Sequence, residues 1–273
     1  MNVEGQHRAS ENADDHAFRF GGLARLFGTK GLERLRGSHV CVVGVGGVGS
    51  WVVEALARSG IGALTLVDLD EICVSNINRQ LPALNSTVGR AKVEVLAERV
   101  RDIHPECRID ARQEFFTDST AASVLSAPYT HVVDAIDAVK NKCLLIAQCL
   151  ERKLPLTVCG GAGGRRDATR VCMEDLARVT QDRLLAEVRR RLRKEYGFPR
   201  GDRKFGIACV CSPEPPIFPR VDGSVCATRE PSPEGQSLRL NCDWGFGSAA
   251  FVTATFGMVA AGYVVQRIVE TEP

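Results

Sequence analysis

No C-x-x-C pair occurs in the 273 residues, although the chain holds eleven cysteines. The closest two, Cys209 and Cys211, flank Val210 on a segment read as extended, where adjacent positions point to opposite faces. A structural zinc site of the paired-cysteine kind is therefore not expected. No basic stretch followed by an apolar one opens the sequence, so no secretory signal is read. Cysteines without an export route place the protein in a reducing, cytoplasmic setting. The formal net charge is only +2, which excludes a global basic signature for nucleic acid. No internal repeat is found. The last apolar run, 249–265, is 17 residues long, short of the roughly 20 needed to span a bilayer. Its two threonines, two glycines and flanking Arg267 fit a helix packed on protein rather than one in contact with membrane.

What is present is an alternation of strands and helices. Residues 1–17 are polar without an apolar period and read as a disordered tail. Helical spacing follows from Phe18 to Leu35. Val40 to Val43 is a β-branched run suited to a strand buried on both faces. Helix 50–59, strand 63–67, helix 90–103, strands 108–113 and 131–135, helix 139–150 and strand 156–158 complete the pattern. This predicts the α/β class: a doubly wound, Rossmann-like, mainly parallel sheet. The nucleotide-binding domain is expected over 18–160. Residues 161–273 form a C-terminal, substrate-side extension, read as continuous with it. The extension holds a strand at 169–173, a basic helix at 181–196, a crossing segment with six prolines over 213–247, and the apolar last helix.

Gly44, Gly46, Gly47 and Gly49 lie in G-x-G-G-x-G between the first strand and its helix. The pattern permits a tight turn, close approach of backbone to phosphate, and packing of helix on strand. Asp68 ends the second strand, where a carboxylate reaches a ribose hydroxyl. NAD and ATP both carry that ribose. Asp70, Arg79, Lys92 and Asp137 decide between them: cations answer a triphosphate, and acidic side chains answer its Mg²⁺. Taken singly, Lys92 could be a solvated helix residue and Asp137 a helix cap. Together they favour ATP.

These motifs resemble a family. GVGGVGS, the D-L-D pair, S-N-I-N-R-Q, V-G-R-A-K and D-A-I-D are similar to the ThiF/MoeB superfamily, relatives of the ubiquitin-activating enzymes. RFGGLARLFG, CGGAGG, DGSVCA and GFGSAAFVTATFG resemble its tRNA threonylcarbamoyladenosine dehydratase branch. The resemblance covers about 19–269. It implies ATP-dependent cyclisation of threonylcarbamoyladenosine beside the anticodon of tRNA, through adenylation of its carboxylate. It further implies that Asp68 holds the ribose and that Arg79 and Lys92 hold the phosphates. Asn78 would orient phosphate, Asp137 would bind Mg²⁺, and Asp70 would lie beside the metal path. Arg25 would enter the partner's site in a homodimer. Cys226 matches the region where related enzymes carry a thioester-forming cysteine, and Arg229 is its nearest cation in sequence. Gly160 to Gly164 would let the substrate approach backbone, or would form an ordinary turn. A sulfur-acceptor or sulfur-transfer partner protein stays open.

Residues 183–204 hold nine cations against three acids, a net of +6, while the rest of the chain sums to −4. Leu184, Leu185, Val188 and Leu192 would anchor one face of this helix. Arg189, Arg190, Arg193 and Lys194 would then face outward toward tRNA phosphates. His104 and His131 read as structural. The competing readings are an activator of a ubiquitin-like or sulfur-carrier protein, an NAD(P) oxidoreductase, and a non-catalytic tRNA-binding scaffold.

Overall fold

The computed structural model describes residues 3–220, 222–228 and 246–271. Helix α1 (Val3–Gly37) leads in, interrupted at Gly28, whose φ of 78° breaks the helical run. Residues 3–17, read as part of a disordered tail, lie in this helix, and residues 1–2 lie outside the described residues. His16 is buried against the rings of Phe20 and His104. A few ring contacts anchor this end, and apolar periodicity does not register them.

Strand β1 (His39–Val43), helix α2 (Gly49–Arg58) and strand β2 (Ala63–Val67) form the first βαβ unit. Helix α3 (Lys92–Ile103), strand β3 (Arg108–Arg112), the short helix α4 (Ala121–Val124) and strand β4 (His131–Asp134) follow. Helix α5 (Val139–Glu151) and strand β5 (Leu156–Cys159) come next. The expected strand at 169–173 is instead a 3-10 turn, Ala168–Arg170, followed by strand β6 (Cys172–Asp175). The Asp167 side chain accepts the Thr169 amide, which favours the turn. Helix α6 (Arg183–Glu195) precedes strand β7 (Ala208–Cys211), on the segment read as extended at its cysteines but not counted among the expected sheet strands. Strands β8 (Phe218–Pro219) and β9 (Val225–Cys226) pair as a small hairpin inside the proline-rich crossing. Helix α7 (Ala250–Glu270) ends the fold.

The sheet order is β3-β2-β1-β4-β5-β7-β6, parallel except where β6 pairs antiparallel with β7. Cys209 and Cys211, two positions apart, share one face of β7 rather than opposite faces, and pack in one apolar cluster; among the described residues no third ligand joins them in a metal site. Val210 faces the other side of the sheet. Helix α7 is long and apolar enough to cross a membrane by composition, yet half of its most apolar window is buried. Val252, Phe256, Ala260 and Val264 recur along one stripe and are fully buried in the core shared with Val52 and Leu56 of α2. The chain winds from β1 outward to β3, then returns to β4 and continues the other way. The crevice between the carboxyl ends of β1 and β4 is the switch point where such sheets bind ligands.

Candidate active site

The glycine loop leaves β1 and meets the segment leaving β4. Gly44 has a φ of 85°, and a Cβ there would lie 2.9 Å from the Ala135 carbonyl carbon and oxygen. A Cβ at Gly49 would fall 1.8 Å from the Gly44 oxygen. Only glycine permits this turn, and the turn brings Asp134–Asp137 against the loop.

Asp68, at the end of β2, ties the loop down. Its Oδ2 accepts the Val45 amide at 2.8 Å and its Oδ1 accepts the Asp70 amide at 2.9 Å. Each oxygen keeps a lone pair for a further donor. Burial pushes this carboxyl above its ordinary range, while nearby Lys92 pulls it back. Lys92 is the first residue of α3 and is only 5% exposed, so it is not a solvated helix residue. Its Nζ reaches Asp70 Oδ2 at 2.8 Å. The two residues expected to face phosphate and metal are thus paired with each other.

Arg79 is fixed through its backbone. Trp51 Nε1 of α2 and Thr253 Oγ1 of α7 both donate to the Arg79 carbonyl, at 3.2 and 3.1 Å. Its side-chain stem passes beside Gly47, where a Cβ would be 3.7 Å from Arg79 Cγ and Cδ. Its Nη1 donates to the Ser75 carbonyl at 2.6 Å and to Asn78 Oδ1 at 3.0 Å. Asn78 in turn donates to the Ser248 carbonyl at 2.8 Å. Gln80 is buried beside Gly46, and its Oε1 has no partner among the described residues.

Asp137 is exposed just before α5. The helix has no side-chain cap bond, so the capping alternative does not hold. Among the described residues Asp137 makes no hydrogen bond or ion pair. The sequence did not single out what lies behind it. Asp134 and Lys142 are both fully buried and 3.0 Å apart. A signal existed: Lys142 falls on the buried stripe of α5 with Leu145, Ile146 and Cys149, and a lysine there requires a buried acceptor.

Other expected residues lie outside this cluster. Arg25 is exposed on α1 and, among the described residues, makes no hydrogen bond or ion pair. Cys226 is half-buried on β9, where its thiol donates to the Thr228 carbonyl at 2.7 Å. Arg229 falls outside the described residues. The glycines at 160 to 164 serve packing. A Cβ at Gly160 would lie 2.5 Å from Asp182 Oδ2, and one at Gly163 would lie 2.8 Å from Phe246 Cβ. Asp182 caps α6 by accepting the Leu185 amide at 2.9 Å, and accepts the Gly161 amide at 2.8 Å. Such a cap contributes about 1 kcal/mol. Here it also fastens the basic helix to the carboxyl end of β5.

Leu185, Val188 and Leu192 do anchor α6, but its cations are less free than the helical wheel predicts. Arg189 donates to the Leu176 carbonyl at 3.3 Å. Arg193 donates to the carbonyls of Pro199 and Gly201, each at 3.1 Å, and stacks over Phe205. Arg190 pairs with Glu187 at 2.8 Å. The segment before the helix holds Arg189 and the loop after it holds Arg193, which leaves Arg190 and Lys194 exposed. With Arg200 these side chains line a basic depression of about 490 Å³.

Known proteins resemble this chain. The tRNA threonylcarbamoyladenosine dehydratase of Escherichia coli K12 is 49% identical over 251 residues, 92% of this chain and 93% of that protein. The Haemophilus influenzae protein of the same name is 48% identical over 258 residues, 94% of this chain and 95% of its own length. The crystal structure of E. coli tRNA N6-threonylcarbamoyladenosine dehydratase, TcdA, in complex with ATP matches with a TM-score of 0.81 at 45% identity. It covers 92% of this chain and 94% of that one. Residues 22–273 match the model of the ThiF family, and this chain belongs to that family.

Proposed function

We propose that this chain is an ATP-dependent enzyme that dehydrates threonylcarbamoyladenosine in tRNA to its cyclic form. What supports the reading is the glycine loop at the switch point, with Arg79 beside Gly47, Asp68 bonded to Val45 and to Asp70, Lys92 paired with Asp70, and the segment leading to Asp137 packed on Gly44, on a chain aligned over nearly its whole length with dehydratases. The threonylcarbamoyl carboxylate is anionic and has no leaving group. Its oxygen attacks the α-phosphorus of ATP, and the bond to pyrophosphate breaks. In the resulting acyl-adenylate AMP is a good leaving group. A nitrogen or oxygen of the same side chain then attacks the acyl carbon. The water formally lost leaves its oxygen on AMP and its two hydrogens as protons. Ring closure is intramolecular, so positioning and charge stabilisation supply most of the catalysis.

We assign the residues the roles that the resemblance implies. The Gly46–Gly49 backbone, with the positive end of the α2 dipole, is assigned to the phosphates, and Asp68 to the ribose through its remaining lone pairs. Arg79 and Lys92 neutralise the departing pyrophosphate once Lys92 exchanges Asp70 for phosphate. Asn78, hydrogen-bonded to Arg79, orients a phosphate oxygen. Among the described residues no three histidine, cysteine or carboxylate side chains converge on a metal cage. One exposed, unpartnered carboxylate is what a hydrated Mg²⁺ carried by phosphates needs, and Asp137 fits it. When bound, Mg²⁺ would offset phosphate charge.

We assign α6 and its depression to tRNA phosphates, with Arg190 and Lys194 as the available cations. The chain acts as a homodimer in this reading. Phe18 is 90% exposed and Leu26 is 71% exposed on α1, on either side of Arg25, and a second subunit would cover them. Cys226 keeps only a proposed auxiliary role, since cyclisation requires no thiol. The reading is tested by exchange of labelled pyrophosphate into ATP. Exchange should require threonylcarbamoyl-modified tRNA. Exchange supported by a sulfur-carrier protein, and not by that tRNA, would assign the chain to carrier activation.

A further inference from the structure

From the buried Asp134–Lys142 pair we infer that Lys142 is a positioning residue. It orients the Ile136–Asp137 peptide and so aims the Asp137 carboxylate. The inference rests on the role assigned to Asp137 above. Lys142 Nζ has three donors and three acceptors within reach. They are Asp134 Oδ1 at 3.0 Å, the Ile136 carbonyl at 2.9 Å and the Asp134 carbonyl at 3.4 Å. Asp134 Oδ1 also accepts the Ile136 amide at 3.0 Å. The Ala135 amide donates to the Val43 carbonyl at 2.9 Å, and the Ala135 carbonyl packs on Gly44.

Residues 134–136 are therefore held on both sides. Gly44 and β1 hold one, and Lys142 holds the other. The hold stops at the Ile136 carbonyl, one bond from the Asp137 nitrogen. Asp137 itself has no side-chain partner among the described residues. The direction of its carboxylate is set by the preceding peptide plane, and Lys142 fixes that plane. A buried ion pair is an expensive way to stabilise a core, since apolar side chains of similar volume often serve as well. Here the lysine does what an apolar side chain cannot, by holding a carbonyl at the last ordered peptide before the metal-facing carboxylate.

The test replaces both charges together, as Asp134→Asn with Lys142→Met in the full-length chain, so that neither is left stranded. Melting temperature and circular dichroism establish that the variant folds. A fluorescent ATP analogue is then titrated with and without Mg²⁺. Affinity without Mg²⁺ should match wild type. The Mg²⁺ concentration giving half-maximal enhancement should rise about 10–100-fold, the range for partners that orient a metal ligand. kcat should fall with it, while KM for ATP at saturating Mg²⁺ changes little. If the double variant does not fold, Lys142→Arg keeps a cation in the core. Its longer, planar head displaces the Ile136 carbonyl, so the Mg²⁺ midpoint again rises above wild type. A wild-type midpoint and kcat in whichever variant folds would overturn the inference and leave the pair a purely structural one. Loss of Mg²⁺ enhancement in the wild-type protein would instead sink the role of Asp137, on which the inference stands.

Discussion

Lys92 Nζ rests 2.8 Å from Asp70 Oδ2, with the lysine side chain 6% exposed and the aspartate side chain 55% exposed. The asymmetry predicts unequal effects of substitution. Lys92→Met removes a buried cation and leaves behind a carboxylate that water already reaches, so the fold survives. Turnover should fall by about 10²–10³-fold, as for loss of one preorganised charge-stabilising group. Asp70→Asn should cost far less, because Lys92 remains to meet phosphate. Pyrophosphate release under single-turnover conditions separates the two variants, and equal losses would contradict the assigned roles.

Asp137→Asn should abolish product without lowering the melting temperature, because the side chain is exposed and makes no bond to the rest of the described chain. Asp134, three residues earlier, is fully buried against Lys142. Asp134→Ala should therefore destabilise the fold by about 3–5 kcal/mol, by stranding a buried charge. Calorimetry beside an activity assay distinguishes a site carboxylate from a core one.

This contrast shows what the sequence revealed and what it hid. The doubly wound sheet and the glycine turn were legible because each carries a local pattern: a β-branched run and a glycine spacing. Asp68, Arg79, Lys92 and Asp137 were candidates on the same kind of local signal, and their roles rest on the proposal and its variants. The place of strand β7 in the sheet and the Asp134–Lys142 pair were not legible. Strand β7 is short and lies in a stretch rich in proline and glycine. Lys142 acts through an acceptor eight residues away, on another element. The arginines of α6 misled for a related reason. Helical spacing gives the face a side chain starts from, but not the carbonyls of Pro199 and Gly201 that fold back onto Arg193.

Those carbonyls shape the RNA prediction. Arg193 and Arg189 are tied into the fold, so reversing them would test stability as much as binding. Arg190→Glu with Lys194→Glu is the cleaner variant, since both side chains are exposed. If each meets one phosphate, tRNA affinity should drop and the log–log salt slope should flatten by about 2. ATP affinity should stay unchanged. An unaltered slope would place the RNA elsewhere.

Arg25 should act in trans. Phe20, on the same helix, packs on Gly60 at the amino-terminal edge of the sheet, opposite the glycine loop. Mixing inactive Arg25→Ala with inactive Lys92→Ala gives some dimers in which one site carries neither lesion. Partial recovery of activity is expected once subunits exchange. No recovery after confirmed exchange would place Arg25 outside the partner's site.

Acid should loosen the fold through its histidines. Burial pushes His104 and His131 from an ordinary 6.5 down to about 4. Between those values the unfolded chain takes up protons that the folded chain refuses. Stability from these groups is thus present above pH 6.5 and is lost as pH falls toward about 4. Melting temperatures across this window should fall, and less steeply in His104→Phe, since among the described residues His104 Nε2 has no partner to lose. An identical pH profile in that variant would contradict the assignment.

The most direct measurement incubates the purified chain with MgATP and tRNA bearing threonylcarbamoyladenosine, then digests the tRNA and weighs its nucleosides. The modified nucleoside should become lighter by one water, with one AMP formed per event and no ATP consumed when the tRNA lacks the modification. An unchanged nucleoside mass with competent tRNA and fresh MgATP would contradict the dehydratase reading.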